Sequence, residues 1–149
     1  MKPLTSASKK KILNQLNQQY GISTLPYLLL QFGKEKIRLY SGLLSNQELI
    51  DLDKNINIET IGLYSVNQPT NQDQIRLTLD GTQLFKSQIT KNILEINNKQ
   101  SDQWLRGSDL DIQTDNNFKI LSNNNNFLGC GKSTGEKITN FIPKERRIK

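Results

Sequence analysis

Two stretches in the last third of the chain restrict its fold more than any others: Trp104-Leu-Arg-Gly-Ser-Asp-Leu110 and Phe127-Leu-Gly-Cys-Gly-Lys-Ser-Thr134. Trp104, the only tryptophan, closes a short helical pattern that Gly107 ends. The second stretch is an apolar strand that opens into glycines and a lysine. Around them lie strand-like runs at 92–96, 110–112, 118–121, 127–130 and 137–142, with a helix starting at Asn97. Runs this short, about 8–12 residues apart, predict a small β-barrel. The Asn123-Asn-Asn-Asn126 tract suits a tight turn, because asparagine tolerates positive φ. Glycines in the second stretch would let another backbone come close, and leave a seam open to a polyanion.

Upstream the pattern differs. Ser8 can cap a helix running to about Tyr20, with Ile12, Leu16 and Tyr20 on one face and Gly21 placed to end it. A hairpin follows, with strands at 27–32 and 36–40 around Gly33-Lys34-Glu35. Its second strand alternates Ile37 and Leu39 with Arg38 and Tyr40. Ser45-Asn-Gln-Glu48 is a capping-box pattern opening a second helix that carries Leu49, Ile50 and Leu52. Strands at 58–66 and 75–79 flank a polar loop containing Pro69, and Asp80-Gly-Thr82 begins a short helix with Leu84 and Phe85. The order α-β-β-α-β-β predicts an α/β unit built on an antiparallel sheet. The pattern changes near 86–91. We expect an α+β chain, with an α/β domain over 1–88 and a barrel over 89–149.

Charge sits at the ends. The net charge is +6, yet residues 1–11 and 131–149 each carry +4, which leaves −2 for everything between. Basic ends on a near-neutral body suit a phosphate backbone or an acidic surface. Lys9, Lys10 and Lys11 stand at the helix end where the dipole disfavours cations. They are either a solvated surface or held by another interaction. The C-terminal cluster, Lys132, Lys137, Lys144, Arg146 and Arg147, is interleaved with Ile138, Phe141 and Ile142.

The rare residues exclude most catalysis. With no histidine, Cys130 lacks the usual base and the common zinc sites cannot be built; a buried, inert thiol is expected. A single cysteine permits no intrachain disulfide, consistent with a reducing compartment. Gly129-Cys-Gly-Lys-Ser-Thr134 imitates a phosphate loop, but Asn126 stands where the motif needs glycine and no helix can follow. Asp109, Asp111 and Asp115 have calcium-loop spacing without its glycine or terminal glutamate. We expect no enzyme, no metal and no cofactor. No apolar run is long enough for a signal peptide or a membrane span, so a soluble, cytoplasmic chain is expected.

Arg106-Gly107-Ser108 carries more information. A glycine-ended helix exposes backbone, and an adjacent arginine can clamp phosphate bidentately. The plain alternative is a C-cap beside a surface arginine. The segment 92–148, with Trp104-Leu-Arg-Gly-Ser-Asp-Leu110 and Leu128-Gly-Cys-Gly-Lys132, resembles the PUA domain, a pseudobarrel that binds RNA. The whole chain, from Lys2-Pro-Leu-Thr5 onward, is similar to Nip-type ribosome-biogenesis proteins of archaea and eukaryotes, which place an α/β domain before a PUA domain. The piece Ile138-Thr-Asn-Phe-Ile-Pro-Lys-Glu-Arg-Arg147 looks more like the PUA-type tail of Sun-type RNA cytosine methyltransferases. In PUA domains RNA lies against the first helix, the segment after it and the last strand. The resemblance thus implies a site at Arg106, Gly107, Ser108 and 137–147, beside Lys132. The expected function is non-catalytic binding of ribosomal or precursor RNA during ribosome biogenesis and rRNA processing, alongside assembly or modification proteins and no membrane. Two alternatives stand: an RNA-targeting subunit for a cytosine methyltransferase on another chain, and a protein-interaction adaptor whose basic tail meets an acidic partner.

Overall fold

The computed structural model describes residues 1–149. Its first part runs β1 (Lys2–Pro3), α1 (Ser6–Tyr20), β2 (Leu28–Phe32), β3 (Lys36–Tyr40), α2 (Asn46–Ile56), β4 (Leu63–Asn67), β5 (Arg76–Leu77) and α3 (Leu79–Leu84). The five strands form one antiparallel sheet in sequence order. The second part runs β6 (Ile93–Glu95), α4 (Asn98–Leu105), β7 (Phe118–Asn123), β8 (Asn126–Ser133), β9 (Ile138–Thr139) and a 3-10 turn at Lys144–Arg146. Its four strands are also neighbours in order, and the sheet curls into a half-barrel. Here β6 lies parallel to β7, whereas the other pairs are antiparallel.

Local chemistry sets the ends of the elements, and it corrects several expected boundaries. Thr5 caps α1 in place of Ser8: it is extended, at φ −69° and ψ 162°, and its hydroxyl accepts the Ser8 N–H. Gly21, at φ 84°, ends the helix as expected. The Ser45–Glu48 capping box is present in full. The strand expected over 58–66 begins only at Leu63. Arg38 explains the delay, because its guanidinium takes the carbonyls of Ile61 and Gly62 that a ladder would otherwise use. The strand expected over 75–79 shrinks to Arg76–Leu77, because Thr78 turns to accept the Gly81 N–H and caps α3. At 110–112 a single bridge, Leu110 to Ile138, replaces the expected strand. The strand expected over 137–142 keeps only Ile138–Thr139, because the Asn140 side chain accepts the Ile142 N–H and turns the chain. The β7–β8 turn places Asn124 at φ 50° and Asn125 at φ 63°, the positive values read from the asparagine tract.

Burial joins the two sheets. The larger apolar cluster draws Ile12, Leu16 and Tyr20 from α1, Leu29, Ile37, Leu39, Val66 and Leu77 from the first sheet, and Phe118, Ile120 and Cys130 from the second. Tyr20 pins this junction by donating to the Ile75 carbonyl at 2.6 Å, 3.8 Å from Cys130 Sγ. A smaller cluster, Ile96, Trp104, Leu110, Leu121, Ile138 and Ile142, fills the half-barrel. No helix is long and apolar enough to cross a membrane.

Candidate nucleic-acid interface

α4 and the tail after β9 meet at one corner, which holds Arg106 and Arg147 beside Asp102 and Asp109. Asn97 opens α4 with a capping box, accepting the Gln100 N–H while Gln100 accepts its own. Trp104 ends the helix fully buried, and its indole N–H donates to the Leu128 carbonyl at 2.7 Å. That bond fastens α4 to β8. The strand can receive the indole because a side chain at Gly131 would run into Trp104 and Ile138. The close approach expected of another backbone is made chiefly by side chains, Ile138 and Trp104, with the Thr139 carbonyl next.

Beyond Trp104 the helix closes in a Schellman motif. Gly107, at φ 97°, donates to the Trp104 carbonyl at 3.0 Å, and Ser108 donates to the Gln103 carbonyl at 3.0 Å. Both N–H groups are thus engaged within the protein. Arg147 lies directly over Gly107, where any side chain would collide with it, and its Nε donates to the Ile142 carbonyl at 3.0 Å. Ile148 then donates to the Leu105 carbonyl at 3.0 Å. Asn140 binds the same corner, giving its amide to the carbonyls of Trp104 and Ser108 at 2.7 and 2.9 Å. Arg106, Gly107, Ser108 and Arg147 consequently meet at one place. Its exposed residues are Arg106, held to Asp102 through Nε at 3.0 Å, Ser108 and Asp109, whereas Arg147 is half-buried.

The remaining residues spread outward from this corner. Lys144 is exposed and belongs to no ion pair. Arg146 reaches Asp80 at the start of α3, at 2.7 Å, and so bridges tail and first half. Lys137 is exposed in the turn before β9. Lys132 stands apart, with its strand partner Phe118 and Cys130 in the larger cluster. It lies 4.9 Å from the Phe118 ring and donates to Gln74 at 3.1 Å, and its partial burial lowers its pKa. Cys130 is buried, and desolvation pushes its thiol up to about 11.

Two further groups were not legible in the sequence. Arg76 lays its guanidinium over the Phe141 ring at 4.4 Å, and that ring is 39 % exposed. Strand alternation around Arg76 signals only that it leaves the core, and nothing local pairs it with a residue so distant in the chain. Asn140 likewise gave no periodic signal. Lys9, in contrast, finds the interaction its helix position called for, donating to the Tyr27 carbonyl at 2.7 Å.

No curated protein matches the chain. Residues 91–148 match the family model described as the methyltransferase RsmF PUA domain, which begins just before β6 and ends beyond the 3-10 turn. The likeness to the Sun-type tail agrees with this match, whereas the Nip-type likeness is not confirmed by it. The match supports a PUA domain over residues 91–148, and a PUA domain suggests RNA binding in general.

Proposed function

We propose that this chain is a non-catalytic RNA-binding protein that holds structured ribosomal or precursor RNA, with residues 89–149 as the binding domain and 1–88 as the part that orients it. The observation that carries this reading is the corner where Arg147 crosses Gly107 beside Arg106, Ser108 and Lys144, inside the segment matched to a PUA domain. Phosphate and shape contacts, rather than base edges, would dominate such a site. Lys137 and Arg146 would add charge around it, although Arg146 must share itself with Asp80 and Lys132 stands apart beside Gln74 and Phe118. Crosslinking in cells followed by sequencing of the bound RNA tests the reading: ribosomal RNA should be enriched, and an RNA pool indistinguishable from background would refute it.

The matched family is described by a methyltransferase. That observation supports a second reading, in which the chain targets RNA for a cytosine methyltransferase carried on another polypeptide. Under it, a methyltransferase should co-purify with the chain and substrate RNA should replace ribosomal precursors in the crosslinked pool.

A further inference from the structure

We propose a second RNA contact on the outer face of the five-stranded sheet, where Phe32, Lys36, Arg38 and Tyr64 form a platform for the stacked bases of an unpaired strand. It rests on the RNA-binding reading for its ligand class, but uses residues outside the matched segment. Ile37 and Leu39 enter the core, so Lys36 and Arg38 project from the opposite face of β3. That face is covered beside Arg38, where its ladder partner Leu30 is fully buried, and open at the exposed Lys36 toward the hairpin tip. In the ladder Phe32 faces Lys36, Lys36 faces Asn67, and Arg38 faces Tyr64. Val66 points inward, and strict alternation would send Tyr64 inward too. The register shift between Ile37 and Arg38 turns it out instead.

The result is an alternation of rings and cations. Lys36 Nζ lies 5.7 Å from the Tyr64 ring centre, and Arg38 Cζ lies 5.8 Å from that of Phe32. Arg38 is fixed in place by the carbonyls of Ile61 and Gly62, with Nη2 at 2.7 Å from the latter. Asn67 holds the Tyr64 hydroxyl at 3.1 Å. At the hairpin tip Phe32, Gly33, Lys34, Glu35, Lys36 and Asn67 border an open concavity of about 450 Å³, ample for a base, with two lysines against one carboxylate. None of Lys34, Lys36 and Arg38 forms an ion pair, and the Glu35 carboxylate faces the Thr70 N–H at 3.3 Å.

Charge complementarity selects the occupant. Cations between aromatic rings match a strand whose phosphates alternate with stackable bases. A protein–protein interface core would share the enrichment in Phe, Tyr and Arg but is depleted in lysine, so it is Lys34 and Lys36 that favour a polyanion. A duplex would not present base faces to a sheet at all.

The test uses the full chain with two labelled probes, a short oligoadenylate and a structured hairpin RNA. Phe32→Ala and Tyr64→Ala should each weaken oligoadenylate binding by roughly five- to a hundred-fold, the effect of removing one base stack. Tyr64→Phe should retain it. Lys36→Ala should lower the slope of log K against log salt by about 0.7. All of these variants should bind the hairpin like the parent, whereas Lys144→Ala/Arg147→Ala should weaken hairpin binding and keep oligoadenylate. Melting curves verify folding, and the exposed Lys36→Glu variant, expected to weaken oligoadenylate binding, decides the matter if an aromatic truncation unfolds. Absence of oligoadenylate binding by the parent overturns the platform, as does undiminished binding by the folded aromatic variants or by Lys36→Glu. Oligoadenylate binding without hairpin binding would remove the PUA-corner reading and leave the platform standing.

Discussion

Trp104 fills the half-barrel and also carries the hydrogen bond that holds α4 to β8. Replacing it with alanine leaves a cavity and orphans the Leu128 carbonyl, so Trp104→Ala should cost roughly 3–5 kcal/mol. Urea unfolding measures this, and a midpoint equal to the parent's would show that the indole does not hold the barrel. Its burial was legible, because a lone tryptophan closing an apolar helix end has few other roles. The fate of Gly107 was only half legible. Its positive φ follows from ending a helix, but its N–H is spent on Trp104 and its face is covered by Arg147. Cys130 offers a second check at this scale. Burial keeps its thiol protonated up to about 11, so it should resist thiol reagents at neutral pH and react only on unfolding. Rapid labelling of the native protein would contradict its placement.

Among the elements, β8 depends most on glycine. A methyl group at Gly131 would meet both Ile138 and Trp104, and Gly131→Ala should destabilise by roughly 1–3 kcal/mol through overpacking. The neighbouring Lys132→Ala, on the other face, should cost less. Equal midpoints for Gly131→Ala and the parent would mean that α4 does not approach the strand so closely. Several short-range signals were readable: the Ser45–Glu48 box, Asn97 as a helix start, Gly21 and the asparagine turn act within a few residues. The Asn97–Gln100 box and the Thr5 cap were not read. Two strands were cut short by local side chains whose turning the pattern did not announce, β5 by the Thr78 cap and β9 by Asn140 accepting the Ile142 N–H. One was cut short by a distant side chain, Arg38, which ends the run before Leu63 from across the sheet. No local pattern announces such a partner.

Across the whole molecule, the sheets lie on either side of the expected boundary near residue 88, but the larger core crosses it through Phe118, Ile120 and Cys130. We therefore expect a single cooperative unfolding transition, with fluorescence of Trp104 and backbone circular dichroism changing together. Two separated transitions would show that the halves are stable independently. The basic tail binds both halves, through Arg147 on Gly107 and Arg146 on Asp80, so its charges are held in place rather than trailing. Titrating a structured RNA at several salt concentrations asks whether those charges grip phosphate. Removing one phosphate-binding charge should reduce the slope of log K against log salt by about 0.7–0.9. Lys144→Ala/Arg146→Ala/Arg147→Ala should thus bind more weakly and with a slope shallower by about two units if all three touch phosphate. Arg106→Ala should change it by about one unit at most. Unchanged affinity and slope in the folded triple variant would contradict the account and move the binding face elsewhere, first to Lys10 and Lys11, which are exposed near the start of α1.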